Sequence, residues 1–149
     1  MAGKTDVFEA DFLKLILNGT AIANIADNAA SSPITSLYIS LHTADPTDAA
    51  ASGQLTNETS YTGYARVAVA RTTGGWTVAT VAGVTTAVPV AAIVFGQCTA
   101  GTATVTHVGI GTAASGTGKL LFSGALSPSI AVSTGVVPQI TTASTITED

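Results

Sequence analysis

The run Gly111-Thr112-Ala113-Ala114-Ser115-Gly116-Thr117-Gly118-Lys119-Leu120 makes the strongest first claim to chemistry. A glycine-rich loop ending in Gly-Lys can cradle phosphate oxygens on its backbone amides. Three features break the pattern. Counting back from Gly118-Lys119, the position of the first glycine holds Ala113. Leu120 follows the lysine, so no hydroxyl is there to ligate magnesium. Leu120-Leu121-Phe122 reads as strand, whereas a phosphate loop runs into a helix N-terminus. The stretch is expected to be a flexible hairpin tip.

His42 and His107 are the only histidines. His42 with Asp45 and Asp48 could sketch an acid–base or metal site, but a catalytic zinc takes about three protein ligands in a tetrahedral array. Asp45-Pro46 is better read as a turn. His107 lies in a β pattern beside Val105 and Gly109, where a partly buried, hydrogen-bonded imidazole is expected. Cys98 is the single cysteine, so it reads as a small apolar filler and no internal disulfide forms. The close carboxylate pairs, Asp45/Asp48 and Glu148/Asp149, lack the apolar surroundings that raise an acid's pKa, so sugar hydrolysis is not supported. No catalytic, cofactor-binding or metal-binding residue is expected, and the chain reads as a non-enzyme.

Tyr61 and Tyr64 flank Gly63, and Arg66 follows. Tyrosine with arginine beside a polar loop has the composition of an interface hot spot. The alternative is tyrosines on a sheet edge with their hydroxyls in water.

Those residues sit in a chain of 149 with 46% apolar and only 9% charged residues, against roughly 25% charged in an ordinary soluble domain. Such a composition argues against disorder. It also implies a surface of Thr, Ser, Ala and Gly, or one covered by partner subunits, so a homo-oligomer packed on other proteins is expected. The net charge is −4, and Lys4, Lys14, Arg66, Arg71 and Lys119 are the only basic residues. Five scattered cations argue against nucleic acid, whose binding releases counterions from clustered contacts. They argue equally against an anionic membrane surface. No run approaches the roughly 18 apolar residues of a membrane span. The N-terminus lacks the basic and apolar regions of a signal peptide, so synthesis in the cytoplasm is expected.

Residues 5–27 read as helix. Thr5 or Asp6 can cap it, with Glu9 placed close to a capping box. Phe8, Phe12, Leu15 and Ile16 then fall on one face. That stripe either packs on its own domain or docks on a neighbour. Asn18-Gly19 is the expected stop, and Thr20 can start a second turn through Ile22 and Ile25. After Pro33, Leu37, Ile39 and Leu41 alternate with Tyr38, Ser40 and His42 as a half-buried strand. Residues 49–62 read as a long surface loop. Further strands are expected at Tyr64–Arg71, Trp76–Val81, Val84–Val88, Ala92–Phe95, Thr102–Ile110, Lys119–Leu126, Ile130–Val132 and Ile140–Ile146, with Trp76 in the core. Gly and Pro separate them at the spacing of a sandwich or barrel. The expectation is a mainly β fold: an N-terminal helical arm over 1–30, then an antiparallel β-sandwich or barrel-like domain over 34–149.

Four phrases carry a resemblance. They are Leu37-Tyr38-Ile39-Ser40-Leu41-His42-Thr43-Ala44-Asp45-Pro46, Tyr61-Thr62-Gly63-Tyr64-Ala65-Arg66, Thr106-His107-Val108-Gly109-Ile110, and Gly118-Lys119-Leu120-Leu121-Phe122-Ser123-Gly124-Ala125-Leu126. In this order, over about residues 7–146, the chain resembles a family of small tailed-bacteriophage virion structural proteins, often labelled tail-fibre-like. The resemblance implies a virion component that contacts major capsid protein or other virion proteins. A short chain without a repetitive shaft favours a capsid decoration (cement) protein. The family label favours a tail-fibre or baseplate part. On either reading, interface residues are expected at Phe8, Phe12, Leu15, Ile16, Tyr61, Tyr64 and Arg66.

Overall fold

Helix α1 (Asp6–Leu13) runs directly into a π-helical turn at Lys14–Asn18 and stops at Gly19, where the sequence places the stop. Gly19 takes the left-handed φ of 67°, which glycine adopts without a Cβ penalty, and its amide bonds the Lys14 carbonyl. The orphan carbonyls of the last turn are covered from elsewhere in the chain. Arg71 donates Nε to the Ile16 oxygen at 2.6 Å and Nη2 to the Leu15 oxygen. The protein is described by a computed structural model over residues 6–22, 33–47 and 53–148. The expected cap at Thr5, the turn through Ile25, Asp48 and the start of the 49–62 loop lie outside the described residues.

The buried helix face is not the expected stripe. Glu9, Leu13 and Leu17, four residues apart, are 2%, 0% and 0% exposed. Phe8 is exposed, and Phe12, Leu15 and Ile16 are half-buried. One residue is about 100° of helix rotation, so the two stripes lie side by side. Glu9 breaks the apolar pattern of the face that is in fact buried, and this hides it from a hydrophobic reading.

Two compact units form. The described residues of 1–36, 70–92 and 140–149 make the first, and those of 37–69 and 93–139 the second. In the first, β3 (Trp76–Val81) and β4 (Val84–Pro89) form an antiparallel hairpin from Trp76↔Pro89 to Val81↔Val84. Its two-residue turn, Ala82-Gly83, has φ of 52° and 81°, the double positive φ that matches the strand twist. β9 (Ile146–Glu148) pairs β4 antiparallel on its other side, and α1 packs on β3 and β4. Leu13, Leu17, Trp76 and Ala87 form this core, with Trp76 buried as expected.

The second unit holds an open four-stranded sheet in the order β2-β1-β6-β7. Its strands are β1 (Ser36–His42), β2 (Val67–Ala70), β6 (Ala103–Gly111) and β7 (Leu120–Val132). β1 meets β6 antiparallel from Tyr38↔Gly111 to His42↔His107. Leu37, Ile39 and Leu41 are at most 1% exposed. Ser40 and His42, expected on the solvent side of a half-buried strand, are fully buried as well, because the 53–59 segment covers them. Val105, Ile110, Phe95 and Val132 are also core. Cys98 is fully buried as well. β5 (Ile93–Val94) pairs with β8 (Gln139–Ile140).

The fold is mainly antiparallel β with a short N-terminal helix. Three strand boundaries differ from expectation. The two strands expected over 119–132 are one strand, β7, which bulges at Leu126–Ser129 while its partner β6 passes only Thr106. The strand expected at Ile140–Ile146 is interrupted, with β8 ending at Ile140 and β9 starting at Ile146. The one expected at Tyr64–Arg71 shortens to Val67–Ala70, because Tyr64 and Arg66 are engaged as described next.

Candidate functional site

Glu58 and Arg66 anchor a connected polar group among the described residues of the second unit. Arg66 donates Nε to Glu58 Oε1 and Nη2 to Oε2, both at 2.7 Å, a planar fork on a carboxylate. Its remaining donors reach across the sequence. Nη1 bonds the Ala113 oxygen and Nη2 the Gly116 oxygen, each at 2.9 Å. Tyr64 Oη donates to Glu58 Oε1 at 2.7 Å and accepts the Leu41 amide at 3.1 Å. Burial of the phenol and the hydrogen bond to the carboxylate raise the Tyr64 pKa far above the usual tyrosine range. The Arg66 pKa is raised too, chiefly by its bond to Glu58.

Tyr61 and Tyr64 meet edge to face at 5.5 Å, and Tyr64 stacks on Phe95 at 6.2 Å. The Tyr61 hydroxyl donates to the Gly96 oxygen at 3.0 Å. The structure thus gathers Tyr61, Tyr64 and Arg66, as the sequence suggests, but turns their polar groups inward. Tyr61 is 6% exposed and the Arg66 side chain 2%. A wet sheet edge with the hydroxyls in water does not describe them, because both hydroxyls are bonded within the chain. They lock the 58–66 segment and the 113–116 tip onto the sheet, using a carboxylate and carbonyls that composition cannot pair in advance.

The hairpin tip expected over 111–120 is present and is held, not free. Thr112 and Lys119 close its base, the Thr112 amide bonding the Lys119 oxygen and the Lys119 amide the Thr112 hydroxyl, both at 3.1 Å. Gln54, fully buried, accepts the Ala113 amide on Oε1 and donates Nε2 to the Tyr38 oxygen. Part of the loop expected at the surface over 49–62 is therefore core: Gln54, Thr59 and Tyr61 are all buried.

A serine–histidine contact that the sequence reading missed lies under this loop. Ser40 Oγ is 2.9 Å from His42 Nε2, and His42 Nδ1 is 2.8 Å from the Thr56 oxygen. A carbonyl only accepts, so Nδ1 carries the proton and the Ser40 hydroxyl donates to Nε2. The distance suits a nucleophile and its base. Both residues are fully buried, however, and a Cβ on Gly109 would strike His42 Nε2 and Ser40 Oγ, so no substrate reaches the hydroxyl in this arrangement. The residues i and i+2 of β1 share a face, which is the sequence signal that could have paired them. His107 lies opposite His42 across β1 and β6 and bonds the Thr106 hydroxyl through Nδ1 at 2.9 Å.

Burial holds His42 neutral, lowering its pKa from 6.5 against smaller upward contributions from Thr56 and Glu58. The unfolded chain takes up a proton as pH falls through about 6.5, whereas the folded chain does so only at lower pH. His42 therefore supports stability fully above that point, and the support drains as pH falls toward the folded value. Urea midpoints between about pH 7 and about pH 5 are expected to fall in the wild type, with a slope contribution of at most about 1.4 kcal/mol per pH unit. That contribution is expected to vanish in His42→Gln. An unchanged slope in the variant would assign the acid sensitivity to other groups.

The helix stripe lies on the first unit. Val7 and Phe8 are 73% and 40% exposed, with Phe12, Leu15 and Ile16 half-buried behind them. The β3–β4 hairpin of the same unit exposes Val81 and Val84. No curated protein matches the sequence. The family model described as podophage GP4 fiber I protein gp80 matches residues 4–147. The chain, a mainly antiparallel β protein whose polar clusters are bonded inward, belongs to that family of phage virion structural proteins.

Proposed function

We propose that the protein is a non-enzymatic fibre subunit of a podophage virion, holding its place by packing apolar side chains of its first unit on other virion proteins. The observation that carries this reading is a contrast. Ser40 and His42 are buried and bonded to each other, and the side chains of Glu58 and Arg66, 9% and 2% exposed, are paired with each other, while Val7 and Val81 are 73% and 72% exposed and Phe8 40%. Apolar area removed from water contributes roughly 25 cal/mol per Å² before the costs of association, and repeated copies on a symmetric particle reinforce it.

A second reading, a capsid decoration protein clamping major capsid protein, draws on the charge-poor composition, with 9% charged residues, which suits a surface covered by neighbouring subunits. Densitometry of purified virions separates the two. Decoration requires a copy number comparable with the major capsid protein, and a fibre subunit a small fraction of it. Immunogold labelling at the tail is the matching outcome for the fibre.

Replacing Phe8 and Phe12 together by serine is expected to reduce incorporation into particles at least tenfold. The far-ultraviolet dichroism of the β units is expected to stay as in the wild type, since neither side chain is among the fully buried ones. Normal occupancy of virions by the double variant would remove the helix face from the interface.

A further inference from the structure

We infer that residues 53–59 form an acid-released cover, which lifts from the face of β1 when His42 takes up a proton. The cover lies over Ser40 and His42, both 0% exposed. Three glycines make its seat. A Cβ on Gly111 or Gly118 would strike the Gln54 side chain, and one on Gly109 would strike His42 Nε2. Four bonds close the cover onto this seat. The Gln54 amide meets the Gly118 oxygen, the Thr43 amide the Asn57 oxygen, the Thr59 amide the Leu41 oxygen, and His42 Nδ1 the Thr56 oxygen.

The fastening is polar. Leu55 is the only large apolar side chain from Gly53 to Thr59, and it is 53% exposed. A segment that buries so little apolar surface opens at a lower cost than a ladder of paired strands. The ladder between β1 and β6, from Tyr38↔Gly111 to His42↔His107, needs no change when the cover lifts.

The neutral His42 ring suits the closed cover, with Nδ1 donating to Thr56 and Nε2 accepting from Ser40. An imidazolium has two donors and no acceptor. Charged in place, it would turn the Ser40 hydroxyl round and leave that proton without its acceptor, where neither residue is exposed. The bond to Thr56 survives protonation and opposes release, but the loss of hydration outweighs it. Three other groups act on the ring. His107, directly opposite on β6, and Arg66 disfavour the charge, whereas Glu58, on the cover and paired with Arg66, favours it. β2 and β7 carry no titratable side chain. With the cover open, the imidazole meets water and regains its ordinary pKa of 6.5. Proton uptake therefore draws the equilibrium toward the open form as pH falls through that value.

The test is native-state hydrogen exchange of the purified full chain, each rate divided by the intrinsic rate at that pH. The Gln54, Thr43 and Thr59 amides are expected to be at least about tenfold less protected than those of the β1–β6 ladder, because they exchange through the smaller opening. Between about pH 7.5 and about pH 5.5 their protection is expected to fall several-fold. One proton with an open-state pKa of about 6.5 sets a ceiling of about tenfold on that fall. His42→Asn, whose amide can still donate to the Thr56 oxygen, is expected to abolish the fall, and His107→Gln to keep it. Equal protection at the cover and in the ladder would mean that they open together, and overturns the inference. So does cover protection that stays constant with pH in the wild type, a result that needs no variant. A fall that persists in His42→Asn, or that His107→Gln removes, overturns it as well.

Discussion

Arg66→Ala is expected to destabilise the protein by about 3–5 kcal/mol, read as a shift in the urea midpoint of the second unit. The side chain is 2% exposed and Glu58 9%, so the pair is buried, not a surface bridge with a median effect of about 0–1 kcal/mol. Truncation leaves the Glu58 carboxylate, 9% exposed, with Tyr64 Oη as its remaining side-chain donor. It also removes the donor to the part-buried Ala113 carbonyl, whereas the exposed Gly116 carbonyl passes to water. Each orphaned group carries a desolvation cost of about 1–3 kcal/mol. Arg66→Lys is expected to recover only part, since a point charge cannot hold both carboxylate oxygens and two carbonyls in one plane. Glu58→Ala is expected to cost as much as Arg66→Ala, and the double variant less than the sum, because the second change removes a charge the first has stranded. A single-variant cost near that of an exposed pair would show that water fills the site.

The features legible in the sequence are those set by neighbours along the chain. The alternation of Leu37, Ile39 and Leu41 fixes β1, Gly74-Gly75 punctuates the start of β3, and Asn18-Gly19 ends the helix. The illegible features are pairings between distant residues. Arg66 bonds carbonyls 47 and 50 residues away, and carbonyls carry no identity in a sequence. Glu9 is a polar residue on the buried helix face, where its Oε2 lies 3.4 Å from the Thr85 hydroxyl, so the visible apolar stripe pointed to the neighbouring face. Long-range contacts of this kind also explain why Tyr61, Tyr64 and Arg66 could be grouped from the sequence while the partners of their polar groups, Gly96, Glu58 and Ala113, could not.

Gly96→Ala is expected to prevent folding of the second unit, giving insoluble protein or a loss beyond about 4 kcal/mol. A Cβ built on Gly96 would collide with the Gly63 carbonyl oxygen, and one on Gly63 with the Gln97 carbonyl oxygen. Both obstacles are backbone, so no rotamer change relieves them. Gly63 carries a second constraint in its φ of 99°, which L side chains rarely adopt. The two segments are further tied by the Thr62 amide to the Ala100 oxygen and the Thr99 amide to the Thr62 oxygen, so neither backbone can retreat without breaking a hydrogen bond. Two other glycines separate collision from conformation. Gly135 has a φ of 94° with nothing within 4 Å of its Cβ position, so Gly135→Ala is expected to cost about 1–3 kcal/mol of strain alone. Gly124, on β7 with open space around it, is expected to accept alanine within about 0.5 kcal/mol. Thermal unfolding of the three variants orders them Gly96, Gly135, Gly124 by severity. Equal costs at Gly96 and Gly135 would mean that backbone conformation, and not the close crossing of the two segments, sets the demand for glycine there.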